Sequence, residues 1–416
     1  MRTPLGAFFV VLIMLLLDVY VFIVIKTLSL SALPGTRMII FSIYWIVSIL
    51  AVIGFLVFVF TGPEFLPKKL RTYLFATVIG LFLAQSVAVL FFLIDDIRRV
   101  IEWGSWKFLF SNNEAISRSV LLSWIGLAAG AILFVSFIYG YTNKYNYRVK
   151  KVKLSFDNLP ESFIGLKIVH FSDVHSGSFM NKKAVIRGVE KIIAENADLV
   201  IFSGDLVNDR ATEMENYMDV FSSIKAPMGV YSTFGNHDYG DYVSWPHNGV
   251  TKEQNLINLA NVHKDLGWRL MMDEHVALEK NGESIALIGI QNWGAKARFP
   301  KYGNMEKAYA GSEKYPFKIL ISHDPSHWEA QVKADYNDVD LTLSGHTHGM
   351  QFGVEIPGFK WSPVQYMYKE WSGLYEEGKQ KLYVNPGYGF IGYPGRVGIM
   401  PEITVIELSR SSSTTV

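Results

Sequence analysis

The sequence predicts two units of different class, an all-α bundle of four membrane-spanning helices followed by a layered domain of strands and helices. Three observations predict this. The 416-residue chain is 50% apolar, more than an ordinary soluble protein carries. The excess lies in the first third, in long runs almost free of ionisable residues. Beyond residue 165, short apolar runs repeatedly end in turns that carry Asp, Asn or His.

About 20 apolar residues in helical form cross the hydrocarbon core with every backbone group satisfied internally. Leu5–Ile25, Met38–Phe60, Tyr73–Ile94 and Val120–Tyr141 meet that test, with turn signals such as Pro34-Gly35 and Gly62-Pro63 between them. A signal peptide is the alternative for the first segment, but its apolar run is long for one and three further spans follow. Arg2, Lys68, Lys69, Arg71, Lys144, Arg148, Lys150, Lys151 and Lys153 fall on one side of such a bundle. Lys26, Arg37, Arg98, Arg99, Lys107 and Arg118 fall on the other. This balance favours cytoplasmic termini, hence a multi-pass membrane protein with its second unit in the cytoplasm. Ile97–Phe110 reads either as a short interfacial helix or as a loop. Asp18, inside the first span, needs a polar partner, and Ser48 and Gln85 are the candidates.

The domains expected are 1–142 for the membrane unit, 143–164 for a polar, basic juxtamembrane linker and 165–416 for the second unit. In the latter, Leu166–His170, Leu199–Phe202, Val230–Phe234, Ile319–Ile321 and Leu341–Leu343 have the length and composition of buried strands. Lys182–Glu195, Glu213–Ile224 and Lys252–Leu266 read as helices. A net charge of +1 gives no field that would mark nucleic acid as a partner. The absence of cysteine excludes disulfides and thiolate metal sites, so any metal is held by nitrogen and oxygen.

Each of these strands is followed by a polar signature: Asp173-Val174-His175, Gly204-Asp205, Gly235-Asn236-His237-Asp238, Ser322-His323-Asp324 and Gly345-His346-Thr347-His348. Carboxylate, imidazole and amide oxygen are what a hard or borderline divalent cation takes, and rigid strands can aim several such loops at one point. One such motif is weak; five in series, each at a strand end, point to a metal centre. His170, His247, His263, His275 and His327 lie outside the motifs and read as core or surface histidines. The aromatics between Trp361 and Tyr375 and between Tyr388 and Tyr393 read as core or as the rim of a pocket.

In this order the blocks resemble the calcineurin-like metallophosphoesterases over roughly Gly165–Leu408. Ser172–Gly177 and the tail from Leu382 to Ile403 are most similar to a membrane-associated bacterial branch that includes YkuE and YaeI, which implies a bacterial inner (cytoplasmic) membrane. The resemblance implies an α+β fold, a four-layer α/β/β/α sandwich. It implies two divalent metal ions, manganese first, with iron or zinc as alternatives: Asp173, His175 and His348 on one, Asn236, His323 and His346 on the other, Asp205 on both. His237 would be the general acid, oriented by Asp238. The implied activity is hydrolysis of a phosphodiester or pyrophosphate, in a lipid-linked or nucleotide-sugar-lipid substrate at the bilayer. Met350, where relatives have glycine, and Asn208, at a position that is often acidic, bear on the substrate rather than on the metals. The rival reading is a membrane sensor or scaffold that binds its ligand without turnover. Gly235-Asn236-His237-Asp238 disfavours a protein phosphatase, and the lack of a basic track disfavours a nuclease.

Overall fold

The computed structural model describes residues 4–61, 65–110, 116–296 and 300–411, so Arg2 and the Gly62-Pro63 turn lie outside the described residues. The chain divides into two compact units, residues 1–141 and 142–416.

Among the described residues the first unit is four helices, α1 (Pro4–Leu28), α2 (Pro34–Phe60), α3 (Lys68–Phe110) and α4 (Val120–Gly140). All four are long and apolar enough to cross a bilayer. Pro34 starts α2 where its missing N–H costs nothing, and the Ser119 side chain caps α4 by accepting from the Leu122 N–H. α3 and α4 pack closely because α4 carries small residues: a Cβ at Gly130 would stand 2.7 Å from the carbonyl oxygen of Ala84. The third span and the segment 97–110, expected to be separate, form one 43-residue helix. Asp95, Asp96, Arg98 and Arg99 interrupt the hydropathy but not the helix, since Arg98 pairs with Asp95 (2.8 Å) and Arg99 with Asp96 (2.9 Å) one turn away. Asp18 is buried and accepts from Gln85 Nε2 at 2.6 Å, while Tyr44 donates to the Asp18 carbonyl at 2.7 Å. Of the two expected partners Gln85 is used; buried Ser48 makes no hydrogen bond through its hydroxyl.

The second unit holds, in chain order, β1 (Arg148–Phe156), β2 (Lys167–Phe171), β3 (Leu199–Phe202), β4 (Val230–Ser232), β5 (Arg269–Leu270), β6 (Glu274–Lys280), β7 (Glu283–Gly289), β8 (Lys318–Ile321), β9 (Leu341–Ser344), β10 (Val354–Ile356), β11 (Phe359–Trp361), β12 (Gly373–Glu377), β13 (Gln380–Val384) and β14 (Glu402–Arg410). They form two six-stranded sheets, β1-β14-β2-β3-β4-β5 and β12-β13-β9-β8-β7-β6, and a separate β10–β11 hairpin. Strand alternation builds the layers. Ile168, Ile201, Ile319, Ile321, Leu341 and Leu343 point into one core shared by both sheets. Val169, Phe171, Val200 and Phe202 point the other way, onto Val185, Val189 and Ile192 of α5 (Lys182–Ala194). Ile288 and Leu320 do the same on the second sheet, toward Met305, Ala308, Trp328 and Val332. The result is a helix/sheet/sheet/helix sandwich.

Two expectations are corrected. The segment 143–164 is not a linker: β1 lies within it, paired in parallel with β14 from Arg148↔Glu402 to Phe156↔Arg410. The helix expected over 213–224 is reduced to short turns, Ala211–Met214 and Met218–Phe221.

Candidate metal centre

Strands β2, β3 and β4 of one sheet and β8 and β9 of the other end at a common edge, and each hands its chain to one of the five motifs. The turns are tight. Asp173, His175, Asp205, His346 and His348 have φ of 53°, 47°, 62°, 72° and 51°, the left-handed region that costs a non-glycine residue about 1–3 kcal/mol. Cross-loop hydrogen bonds hold these conformations: Asp173 N–H to Gly204 O (2.9 Å), His175 N–H to Asp205 O (3.1 Å) and Gly389 N–H to Asp173 O (2.8 Å). Gly235 is required by proximity, because a Cβ there would meet Asp205 Oδ1 at 2.2 Å.

The seven expected ligands come together in one buried pocket. His175 Nε2 lies 3.0 Å from His348 Nε2 and 3.5 Å from Asp205 Oδ2. His348 Nε2 is 3.3 Å from Asp173 Oδ1, and His323 Nε2 is 3.2 Å from Asp205 Oδ2. On the far side His346 Nδ1 stands 2.8 Å from Asn236 Oδ1. Asp173–His175–His348 and Asp173–Asp205–His323 each offer donor atoms within 4.8 Å of one another.

The donor chemistry fits divalent cations. His323 donates from Nδ1 to the Ser203 carbonyl (2.7 Å), which fixes the tautomer and leaves its buried Nε2 without a hydrogen bond. Asn236 donates from Nδ2 to Tyr242 Oη (2.8 Å), turning its oxygen to His346. His346 Nε2 is held by Tyr368 Oη (2.9 Å), whose hydroxyl donates on to Asp324 Oδ2 (3.4 Å). Ring nitrogens, carboxylate oxygens and an amide oxygen thus converge at about 3 Å, the separation of donors that bind one ion at about 2 Å each.

Burial opposes a charge on His323, but Asp205 beside it raises it to about 10. Burial pushes His175 down to about 3, and pushes His346 down and His348 well below the usual histidine range, so these imidazoles are neutral. Burial opposes ionisation of Asp205, but His323, His237 and His175 around it hold it well below the usual carboxylate range. Burial raises Asp173 to about 6 against the pull of His323, and Asp205 raises it further.

His237 is half-buried beside the cluster, its ring centroid 4.9 Å from that of His175. It is not oriented by Asp238. Its Nδ1 donates to the Asn208 carbonyl (2.8 Å), whereas the Asp238 carboxylate accepts from the N–H groups of Asp205, Leu206 and Gly235 (each 2.8 Å) and of Val207 (3.2 Å). Asp238 therefore ties the Gly204-Asp205 loop to the Gly235-Asn236 loop. Sequence reasoning missed Asn208, Tyr242, Asp324 and Tyr368 as orienting groups. It also missed Arg396, buried with its Nη2 3.3 Å from His348 Nδ1. Tyr368 is one of the aromatics read as a possible rim, while Tyr388 and Phe390 are core. His170, His263 and His327 are buried and bonded to Ser203, Ser232 and Ser322.

Comparison with known proteins agrees with this geometry. Residues 166–350 match the family described as calcineurin-like phosphoesterase, and residues 1–144 match the one described as the transmembrane domain of a probable calcineurin-like phosphoesterase. Over residues 166–350 the chain is similar to the calcineurin-like phosphoesterases. The first unit, which lies outside the motif resemblance, is thus similar to the membrane domain found in such proteins. A zebrafish protein described as a transmembrane protein with metallophosphoesterase domain is 30% identical over 64% of this chain, and the match spans 58% of its own length. The uncharacterized metallophosphoesterase YkuE of Bacillus subtilis is 28% identical over 61% of this chain and 82% of that protein. The phosphodiesterase YaeI of Escherichia coli is 25% identical over 58% of this chain and 82% of that protein.

Proposed function

We propose that this protein hydrolyses a phosphodiester or pyrophosphate bond at a centre of two divalent cations, on a substrate carried in or at the membrane. The observation that carries this reading is the convergence of imidazole, carboxylate and amide groups from five strand ends into one buried cluster, with donor atoms of two triads within 4.8 Å of one another. Asp173, His175 and His348 would hold one cation and Asn236, His323 and His346 the other, with Asp205 within reach of both. Bound there, such a pair supplies an activated water and neutralises the phosphoryl oxygens. His237, with Nδ1 held by the Asn208 carbonyl, keeps Nε2 as the position from which a proton passes to the departing oxygen. Asp238 acts one step back, by fixing the two loops that present Asp205 and Asn236.

The printed name of YaeI, a phosphodiesterase, supports a diester. The membrane unit supports a lipid-linked substrate, since confinement to the surface raises the effective concentration of one against the other. The lysine and arginine balance around the spans supports a cytoplasmic site.

The test uses the full chain, stripped with chelator and reloaded with manganese, iron or zinc. Bound metal is counted by elemental analysis, and turnover is read with bis(p-nitrophenyl) phosphate. Two ions per chain with restored hydrolysis are expected. A protein that retains no transition metal under any loading sinks the proposal.

A further inference from the structure

The β10–β11 hairpin is built inside out. Its register, Val354↔Trp361, Glu355↔Lys360 and Ile356↔Phe359, puts the apolar pairs on one face and the charged pair on the other. In a hairpin that meets water the charged face would point outward. Here the charged face is pinned to the domain: Glu355 Oε1 pairs with Lys150 Nζ at 3.3 Å, and Lys360 Nζ donates to the Ser372 carbonyl at 2.5 Å while lying over the Trp371 ring. The apolar face is open, with Ile356 57% and Phe359 54% exposed, and beside it in sequence Tyr366 is 78% and Met367 54% exposed. Isolated exposed apolar residues need no explanation; a cross-strand apolar pair turned outward while the charged residues between the strands are tied to the domain does.

The chain names the apolar phase that covers it. Lys150, the hairpin's anchor, is the third residue of β1 and stands ten residues after Gly140, the last residue of α4. A fully extended chain of that length reaches at most about 35 Å. Part of it is already committed to the catalytic unit, where Asn143 is buried and bonds the Arg396 carbonyl at 3.3 Å. The same segment begins and ends at the metal cluster: Ser362 Oγ donates to the Gly349 carbonyl (2.9 Å), next to His348, and Tyr368 holds His346.

We propose that the open face of the β10–β11 hairpin, continued by Tyr366 and Met367, docks on the lipid bilayer and sets the mouth of the metal centre at headgroup depth. Resting on the hydrolytic reading above, it follows that the substrate is a phosphodiester held in the membrane by its own acyl or isoprenoid chains.

The chain has no cysteine, so one reporter can be placed cleanly. Full-length Phe359→Cys and Glu279→Cys, the latter on the edge strand β6, are labelled with an environment-sensitive nitrobenzoxadiazole. Each is reconstituted in nanodiscs of phosphatidylethanolamine and phosphatidylglycerol, with or without doxyl-labelled acyl chains. Blue-shifted emission quenched by the doxyl lipid at position 359 and not at 279 is expected. Equal quenching, or none, at the two positions overturns the docking surface whether or not the protein is a hydrolase. Ile356→Asp/Phe359→Asp is then compared on two diesters. Turnover of a bilayer-embedded fluorescent phosphodiester should fall roughly tenfold or more, the scale expected when two interfacial apolar side chains become carboxylates. Turnover of bis(p-nitrophenyl) phosphate should stay within about twofold, since neither residue touches the metal cluster. Equal loss on both overturns the link to the substrate.

Discussion

Each unit of this protein buries a polar cluster, and the two clusters are solved in opposite ways. In the membrane unit Asp18 is closed off by Gln85 and by the neighbouring Tyr44, donor to acceptor, across three helices. In the second unit His175 Nε2 lies against His348 Nε2 and His346 Nδ1 against Asn236 Oδ1, at 3.0 and 2.8 Å, with the carboxylates of Asp173 and Asp205 gathered beside them. Gathering carboxylates and imidazoles in a buried site costs desolvation, so a fold that packs several of them together keeps them for something added later. The first arrangement is what helix packing produces. The second is what a binding site looks like from its walls.

The sharpest way to break the comparison is Asp205→Ala. It should remove bound metal and bring hydrolysis to background, measured by elemental analysis beside turnover of the soluble diester; a variant that keeps both ions would place the centre elsewhere. His237→Ala should keep its metal and lose about 10²–10⁴-fold in kcat, the usual contribution of a positioned acid. A loss of metal with it would make His237 a ligand. Tyr368→Phe removes only the hydroxyl that holds His346 and should weaken metal affinity by about 10–100-fold, read by competition with a chelating dye. The smallest effect belongs to the other unit. Asp18→Leu should change metal content and turnover by less than about twofold, yet lower the thermal stability of the detergent-solubilised protein by about 1 kcal/mol, the scale of one interhelical hydrogen bond. If Asp18→Leu silences hydrolysis, the contrast between the clusters fails.

How far the sequence revealed this depended on where the information sits. The ligands were legible because each follows directly on an apolar run, so a local pattern names both the strand and the residue at its end. β1 was not legible: with Arg148, Lys150, Lys151 and Lys153 it reads as a polar connection, and Leu154 and Phe156 alone mark its buried face. An edge strand is expected to carry charge, which hides it from a hydropathy reading. The length of α3 was hidden for a related reason, since four charged residues look like an interface until their pairing one turn apart is seen. Tyr368, Asp324 and Asn208 could not be found in this way, because what makes them orienting groups is a contact with a histidine far along the chain. Asp238 shows the converse, a residue correctly singled out whose hydrogen bonds run to backbone N–H groups rather than to the adjacent imidazole.

The strand β14 lies between β1 and β2 in the first sheet, parallel to one and antiparallel to the other. β1 and β2 are synthesised early, directly after α4, and cannot pair with their shared neighbour until some 250 residues later, about a quarter-minute or more at ordinary translation rates. Over that interval the four helices can settle in the bilayer while the first sheet is still open. The first sheet is complete only once that last strand has left the ribosome.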